Sequence, residues 1–296
     1  MEFTKGHGTG NDFVILPDPD GRLALTPELV AAVCDRRRGI GADGVLRVVR
    51  AAKHPDAVGL AGQAEWFMDY WNADGSFAEM CGNGVRVFAR YLTAGGLAEG
   101  GPDGLPIATR AGVVRAVPAH ATTGAAGTAG AGGWAGDLAV DLGRPRILGG
   151  GVATVGPLTL PGVEVDCGNP HLVCTLAAGI ELSDLDLLRA PGYDREAFPT
   201  GVNVEFVTPA GPVGGADGHV RMRVYERGSA ETLSCGSGAC AVAAVVLRDA
   251  GRDGGRIAVD VPGGRLTVTI DGDRCWLAGP ATLVAHGEFD PAALTG

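Results

Sequence analysis

The sequence has 296 residues, 46% hydrophobic and 20% charged, which is enough apolar material for one large core or two medium ones. A net charge of −10 with no basic stripe excludes a nucleic-acid footprint. The most apolar run, residues 239–247, falls far short of the roughly 20 residues a membrane span needs, so no membrane partner is expected.

Met1-Glu2-Phe3-Thr4-Lys5-Gly6 does not read as a secretory leader. The seven cysteines are therefore expected to be reduced thiols of a cytoplasmic protein. Along the chain, apolar runs punctuated by Gly, Pro, Asp or Asn predict a strand at 12–16 and, after a helix, further strands at 44–49 and 66–70. That helix spans 27–38, with Thr26 as N-cap and Pro27 at its first position. A second helix covers 83–94, and a strand follows at 112–117. Residues 118–136 are low in complexity, rich in Gly, Ala and Thr, and read as a connection near the middle of the chain. Beyond it strands are expected at 138–142, 162–166, 171–176, 201–207 and 219–225. A helix at 237–250 precedes strands at 256–261, 264–270 and 274–279. Many strands and few helices give a mixed α/β (α+β) protein, not a regular βαβ array.

Several motifs fail on context. Gly39-Ile40-Gly41-Ala42-Asp43-Gly44 matches G-x-G-x-x-G, but it follows three arginines and runs into a strand pattern, so it is not a dinucleotide site. The six histidines are scattered and no C-x-x-C pair exists, so no metal is expected. Lys5 and Lys53 are the sole lysines, and neither has the setting of a pyridoxal phosphate Schiff base.

Two turns stand out because they match each other. Met80-Cys81-Gly82-Asn83-Gly84 and Ser234-Cys235-Gly236-Ser237-Gly238 each open an apolar helix, one in each half of the chain. One such turn alone would read as a buried cysteine before a helix; two suggest related domains, each built around a central helix. A helix N-terminus presents unpaired N–H groups and positive potential, which is expected to favour thiolate and to bind a carboxylate. Paired thiols on opposite faces of a carbon can remove a proton and return one with inversion, without a cofactor. Cys34, Cys167, Cys174, Cys240 and Cys275 lack this setting and read as core residues.

The chain resembles the diaminopimelate epimerase family over essentially its whole length. The likeness runs from Lys5-Gly6-His7-Gly8-Thr9-Gly10-Asn11-Asp12-Phe13 through Gly39 to Gly44, Asn72-Ala73-Asp74-Gly75-Ser76 and the Cys81 turn. It continues at Cys167-Gly168-Asn169-Pro170-His171, Gly201-Val202-Asn203-Val204, Glu226-Arg227-Gly228, Glu231-Thr232 and the Cys235 turn. The resemblance implies two mirrored domains, each a mixed sheet curled around a central helix, with the active site between them. It places 1–136 with 280–296 in the first domain, where a final strand near 281–286 returns, and 137–279 in the second. It implies Cys81 and Cys235 as the catalytic acid–base pair, with His171 and Glu226 tuning the thiols. Gly82, Asn83, Gly236 and Ser237 would hold the reacting carboxylate. Asn11, Asn72, Asn169, Asn203, Glu226 and Arg227 would line the substrate site. The implied reaction is cofactor-independent epimerisation of LL-2,6-diaminopimelate to the meso form, by a homodimer.

Two positions depart from the family pattern. Gly44 stands where many members carry Gln, and Ala230 where glycine is usual, which is costly if the position needs positive φ. The alternatives are a relative acting on proline, hydroxyproline or another diamino acid, a phenazine-type isomerase of the same fold, and a binding scaffold. Asn83 and the Glu226-Arg227 pair argue against a proline or hydroxyproline relative, and the cysteine pair argues against the phenazine type; an epimerase of another diamino acid stays open because of Gly44. The scaffold would leave two activated thiols without a purpose.

Overall fold

Every strand expected from the sequence forms, and each buries apolar side chains. The computed structural model describes residues 1–101, 103–123 and 133–295, so 124–132 of the Gly/Ala-rich stretch lie outside it. The chain divides into two compact units, Met1–Val140 with Gly279–Gly296 (unit 1) and Asp141–Ala278 (unit 2).

In unit 1 the strands lie in the order Thr282–Glu288, Glu2–Gly8, Asn11–Pro17, Gly44–Arg50, Trp66–Asn72, Leu105–Thr109, Gly112–Pro118 and Leu138–Asp141. Neighbours are antiparallel except Asn11–Pro17 with Gly44–Arg50 and Trp66–Asn72 with Leu105–Thr109. Unit 2 has the order Arg146–Val155, Leu158–Asp166, Pro170–Thr175, Asn203–Pro209, Gly218–Glu226, Gly255–Val261, Gly264–Asp271 and Arg274–Gly279. Its parallel pairs fall at the same two places in the order. The internal echo read from two short turns is thus a repeat of the whole sheet.

Helix α1 spans Pro27–Cys34, α2 Gly82–Ala94 and α3 Gly236–Asp249. Each sheet curls around one central helix, with α2 packing against strands from Thr282–Glu288 to Gly112–Pro118 and α3 against strands from Leu158–Asp166 to Gly264–Asp271. Such enclosure needs a helix apolar on nearly every side, and α3 supplies Ala239, Ala241, Val242, Ala243, Val245 and Leu247, all buried. Each buried Val or Leu contributes about 1.5–3 kcal/mol. Among the described residues no helix is long and apolar enough to cross a membrane.

Thr26 caps α1 by accepting from Leu29 N–H, as the sequence predicts. The helix stops at Cys34 and not at Arg38, because the Asp35 carboxylate takes the N–H groups of Arg37 and Arg38 and folds the chain into a turn. Strands Glu2–Gly8 and Arg146–Val155 were not expected. The first is polar and made by its two neighbours; the second carries Gly149–Gly151, which reads as a turn, yet pairs along its length with Leu158–Asp166. Ala230 does sit at φ +60, a left-handed conformation that costs alanine about 1 kcal/mol. At Gly44 a Cβ would come 2.5 Å from the Trp71 carbonyl oxygen, so the backbone here leaves no space for a side chain.

Candidate active site

In unit 1 the first turn of α2 hangs from Cys81, its N-cap, in extended backbone conformation (φ −143, ψ 119). The Cys81 Sγ accepts from Gly84 N–H at 3.4 Å and donates to Asn11 Oδ1 at 3.5 Å. Asn83 Nδ2 reaches the same Asn11 oxygen at 3.4 Å. The orientation of Asn11 is set from behind, where its Nδ2 donates to Asp43 Oδ2 at 2.9 Å. Asp43 in turn belongs to a cluster in which Arg36 bridges Asp12 (2.7 Å) and Asp43 (2.6 Å), and Lys5 pairs with Asp12 (2.7 Å). These cations hold the Asp12 carboxyl well below the usual carboxylate range against the opposing effect of burial. Asp43 was missed as a site residue; its place in the Gly41-Ala42-Asp43-Gly44 turn was the available signal. Asn72 ends the strand opposite Gly44 and donates to Ser76 Oγ at 3.0 Å.

In unit 2 Cys235 occupies the same place at the head of α3 (φ −114, ψ 115) and is buried. Its Sγ lies 3.7 Å from Ser237 Oγ. The helix terminus was expected to favour thiolate, and this is corrected. Burial first, then the carboxylates of Glu226 and Glu205, push the Cys235 thiol well above its ordinary value, outweighing Gly238 N–H and Ser237. Glu226 ends its strand half-buried, accepts from Thr232 Oγ1 and faces Cys235; burial pushes its carboxyl up. Asn203 Oδ1 accepts from Arg227 N–H at 2.8 Å. The Arg227 guanidinium is turned to Thr200, reaching its carbonyl at 3.3 Å and its hydroxyl at 3.4 Å. Glu226 and Arg227 therefore face different partners and are not a surface ion pair. His171 is fully buried, with Nε2 3.0 Å from Asn169 Oδ1 and Nδ1 2.7 Å from Glu205 Oε1. Glu205 went unread because it sits in a strand buried on both faces, where apolar residues are the rule.

Of the other cysteines, burial pushes Cys34 and Cys174 up to about 12, in keeping with core positions. Cys167 differs, because its thiol donates to the Ser237 carbonyl at 3.5 Å and so supports the α3 turn.

The strand registers align the two units residue by residue. Phe13 pairs with Gly44 as His171 pairs with Asn203, and Gly44 faces Asn72 as Asn203 continues the ladder towards Glu226. Asn11 then corresponds to Asn169, Gly44 to Asn203, Asn72 to Glu226, Cys81 to Cys235 and Asn83 to Ser237. Each unit thus brings a thiol, open helix N–H groups and amide or carboxylate side chains to one end of its sheet. Such a group can hold a carboxylate and exchange a proton with the carbon beside it.

A model of the diaminopimelate epimerase family matches residues 3–126 and 163–284. Diaminopimelate epimerases from Streptomyces coelicolor and Rhodococcus jostii are similar to the chain at 50% and 49% identity. The first match covers 100% of this chain and 98% of the relative, the second 98% and 97%. Among solved structures, a hydroxyproline epimerase from Agrobacterium vitis matches with a TM-score of 0.66 at 16% identity, over 97% of this chain and 91% of that one. A phenazine biosynthesis protein from Bacillus anthracis matches at 0.65 and 16%, over 98% of each chain. Likeness at that distance carries the fold alone.

Proposed function

The chain belongs to the diaminopimelate epimerase family and is an isomerase of lysine biosynthesis; from that premise we propose that it converts LL-2,6-diaminopimelate to the meso form with Cys81 and Cys235 as paired base and acid. The observation that carries this reading is the duplicated turn, a thiol at the N-cap of a central helix in each unit. One thiolate removes the Cα proton, and the other thiol delivers a proton to the opposite face, inverting the centre. The carbon acid is weak, so charge gathering on its carboxylate must be met. The N–H groups of Gly82, Asn83, Gly236 and Ser237 are suited to that, because they lie at the positive ends of α2 and α3. The surroundings of Cys235 favour its protonated form, which fits it to donate in the unliganded protein. Arg227 offers its fork to the distal carboxylate, with Asn11, Asn72, Asn169 and Asn203 as donors and acceptors for the rest.

Covalent carbonyl chemistry at a lysine finds no support, since Lys5 is committed to Asp12 and the Gly41 carbonyl while Lys53 is exposed. We take the enzyme to be a cytoplasmic homodimer; its seven free cysteines suit a reducing compartment. The mechanism is tested with LL-diaminopimelate in deuterated water. Deuterium should enter Cα of the newly formed meso product while the recovered LL substrate stays unlabelled at early times. Label appearing in both pools at equal rates would point to one base serving both faces and would overturn the two-thiol reading.

A further inference from the structure

Beneath the first turn of α3 lies a buried carboxyl–imidazole pair. Glu205 and His171 are both fully buried, with Oε1 2.7 Å from Nδ1, and Oε2 of Glu205 has no hydrogen-bond partner. A Cβ on Gly238 would come 2.6 Å from Glu205 Oε1, so the carboxyl is pressed against the turn that begins at Cys235. Unit 1 fills the corresponding positions with Phe13 and Leu46, which lie 3.5 Å from where a Cβ on Gly84 would be. Packing therefore does not require charge at this place in the fold. A buried carboxyl oxygen left unpaired is destabilising, and the apolar pair in unit 1 avoids that.

We propose that Glu205 is a positioning residue for the epimerisation: it fixes the His171 ring through Nδ1, holds carboxylate charge under the α3 turn, and so sets the pH at which the Cys235 thiol releases its proton. Asn169 Oδ1 lies 3.0 Å from Nε2 on the other side of the ring. Burial pushes the Glu205 carboxyl up, and the His171 charge and hydrogen bond oppose that. The carboxyl end of the pair is the one that lies against the turn at Cys235, and charge on it acts on that thiol. The groups facing Cys235 are Glu226, Glu205, Ser237, the Gly238 N–H and Cys240. Those facing the pair are Asp166, Glu226, Cys167, Cys174 and Cys235. Glu226 is thus the second carboxylate acting on the same thiol, and its contribution stays when Glu205 is changed.

The proposal rests on the reading of Cys235 as an acid–base group, but its test does not. Thiolate absorbance in the ultraviolet is titrated in the full-length protein, and the trace of a Cys235→Ser partner is subtracted from each variant. Glu205→Gln should move the Cys235 ionisation to lower pH by about one unit. Glu205→Asp, which keeps the charge, should stay near the parent. Turnover of diaminopimelate by Glu205→Gln should fall roughly tenfold or more in kcat with KM little changed, since no substrate contact is lost. Glu205→Leu copies the residue of unit 1 and serves as a second neutral variant. An unmoved Cys235 titration in a folded neutral variant overturns the proposal. So does an equal loss in the Gln and Asp variants, or failure of both neutral variants to fold, each of which makes the role one of packing. A shifted titration with no effect on turnover would instead count against the two-thiol mechanism.

Discussion

Cys81 and Cys235 sit in matching backbone but unequal surroundings, and in the proposed mechanism each serves one face of the carbon. Cys81→Ala and Cys235→Ala should each lower kcat by about 10²–10⁴-fold or more, the range of a lost general acid or base. Cys34→Ala, Cys174→Ala and Cys275→Ala should change turnover only through stability, which steady-state assays beside denaturant curves will separate. The Arg227 guanidinium is held at Thr200 by its own hydrogen bonds, and in the proposed reading it meets the distal carboxylate already ordered. Lysine lacks that carboxylate and should lose about 2–5 kcal/mol in kcat/KM against diaminopimelate. Equal kcat/KM for the two would remove Arg227 from this role. The two thiol turns stood out in the sequence because a Cys-Gly-x-Gly pattern opens a helix in each half, whereas the amides came only with the family resemblance, since Asn11, Asn72 and Asn203 end or begin strands and carry no signal of their own. Glu205 was not, because a strand buried on both faces gives no alternation against which an acidic residue stands out.

The first turns of α2 and α3 have the same design over different floors. Gly84 has ordinary contacts at 3.5 Å where a Cβ would go, whereas Gly238 meets a carboxyl oxygen at 2.6 Å. Gly84→Ala should therefore keep or raise stability, by up to about 1 kcal/mol of helix propensity. Gly238→Ala should lose about 1–3 kcal/mol, as overpacking does. Chemical denaturation reads both, and a Gly238→Ala protein as stable as its parent would mean that Glu205 has room to withdraw. Elements with a long apolar run or stripe between turn residues were readable: α2, α3 and strands such as Gly44–Arg50. Glu2–Gly8 carries Glu2, Lys5 and His7 with two glycines near its end, and partners on both sides make it a strand. The end of α1 was misjudged because Asp35 accepts backbone N–H groups from a position that helical periodicity alone would continue through.

Over the whole molecule, several thiols are buried where ionisation is costly. The usual thiol value is 9.0, and Cys34 and Cys174 are pushed up to about 12 by desolvation, with Cys235 and Cys240 also raised. An acid raised in the folded state is fully tolerated below its unfolded value; above it the unfolded chain ionises first and gains. Thermal stability should thus hold up to about pH 9 and fall progressively towards pH 12, and Cys174→Val should soften the decline. A melting temperature that stays level across that window would contradict the burial of these thiols. The path of the chain has a different consequence. Strand Glu2–Gly8 lies between Asn11–Pro17 and Thr282–Glu288, so one of its edges is completed by a segment from the far end of the sequence. On the ribosome all of unit 2 is made before that segment appears, a delay of roughly ten seconds or more at 5–20 residues per second. During that interval the nascent chain carries an unsatisfied strand edge of the kind that other chains can pair with. Synthesis stalled just short of Thr282 should leave a product that chaperones retain, and adding back the last strand should release it.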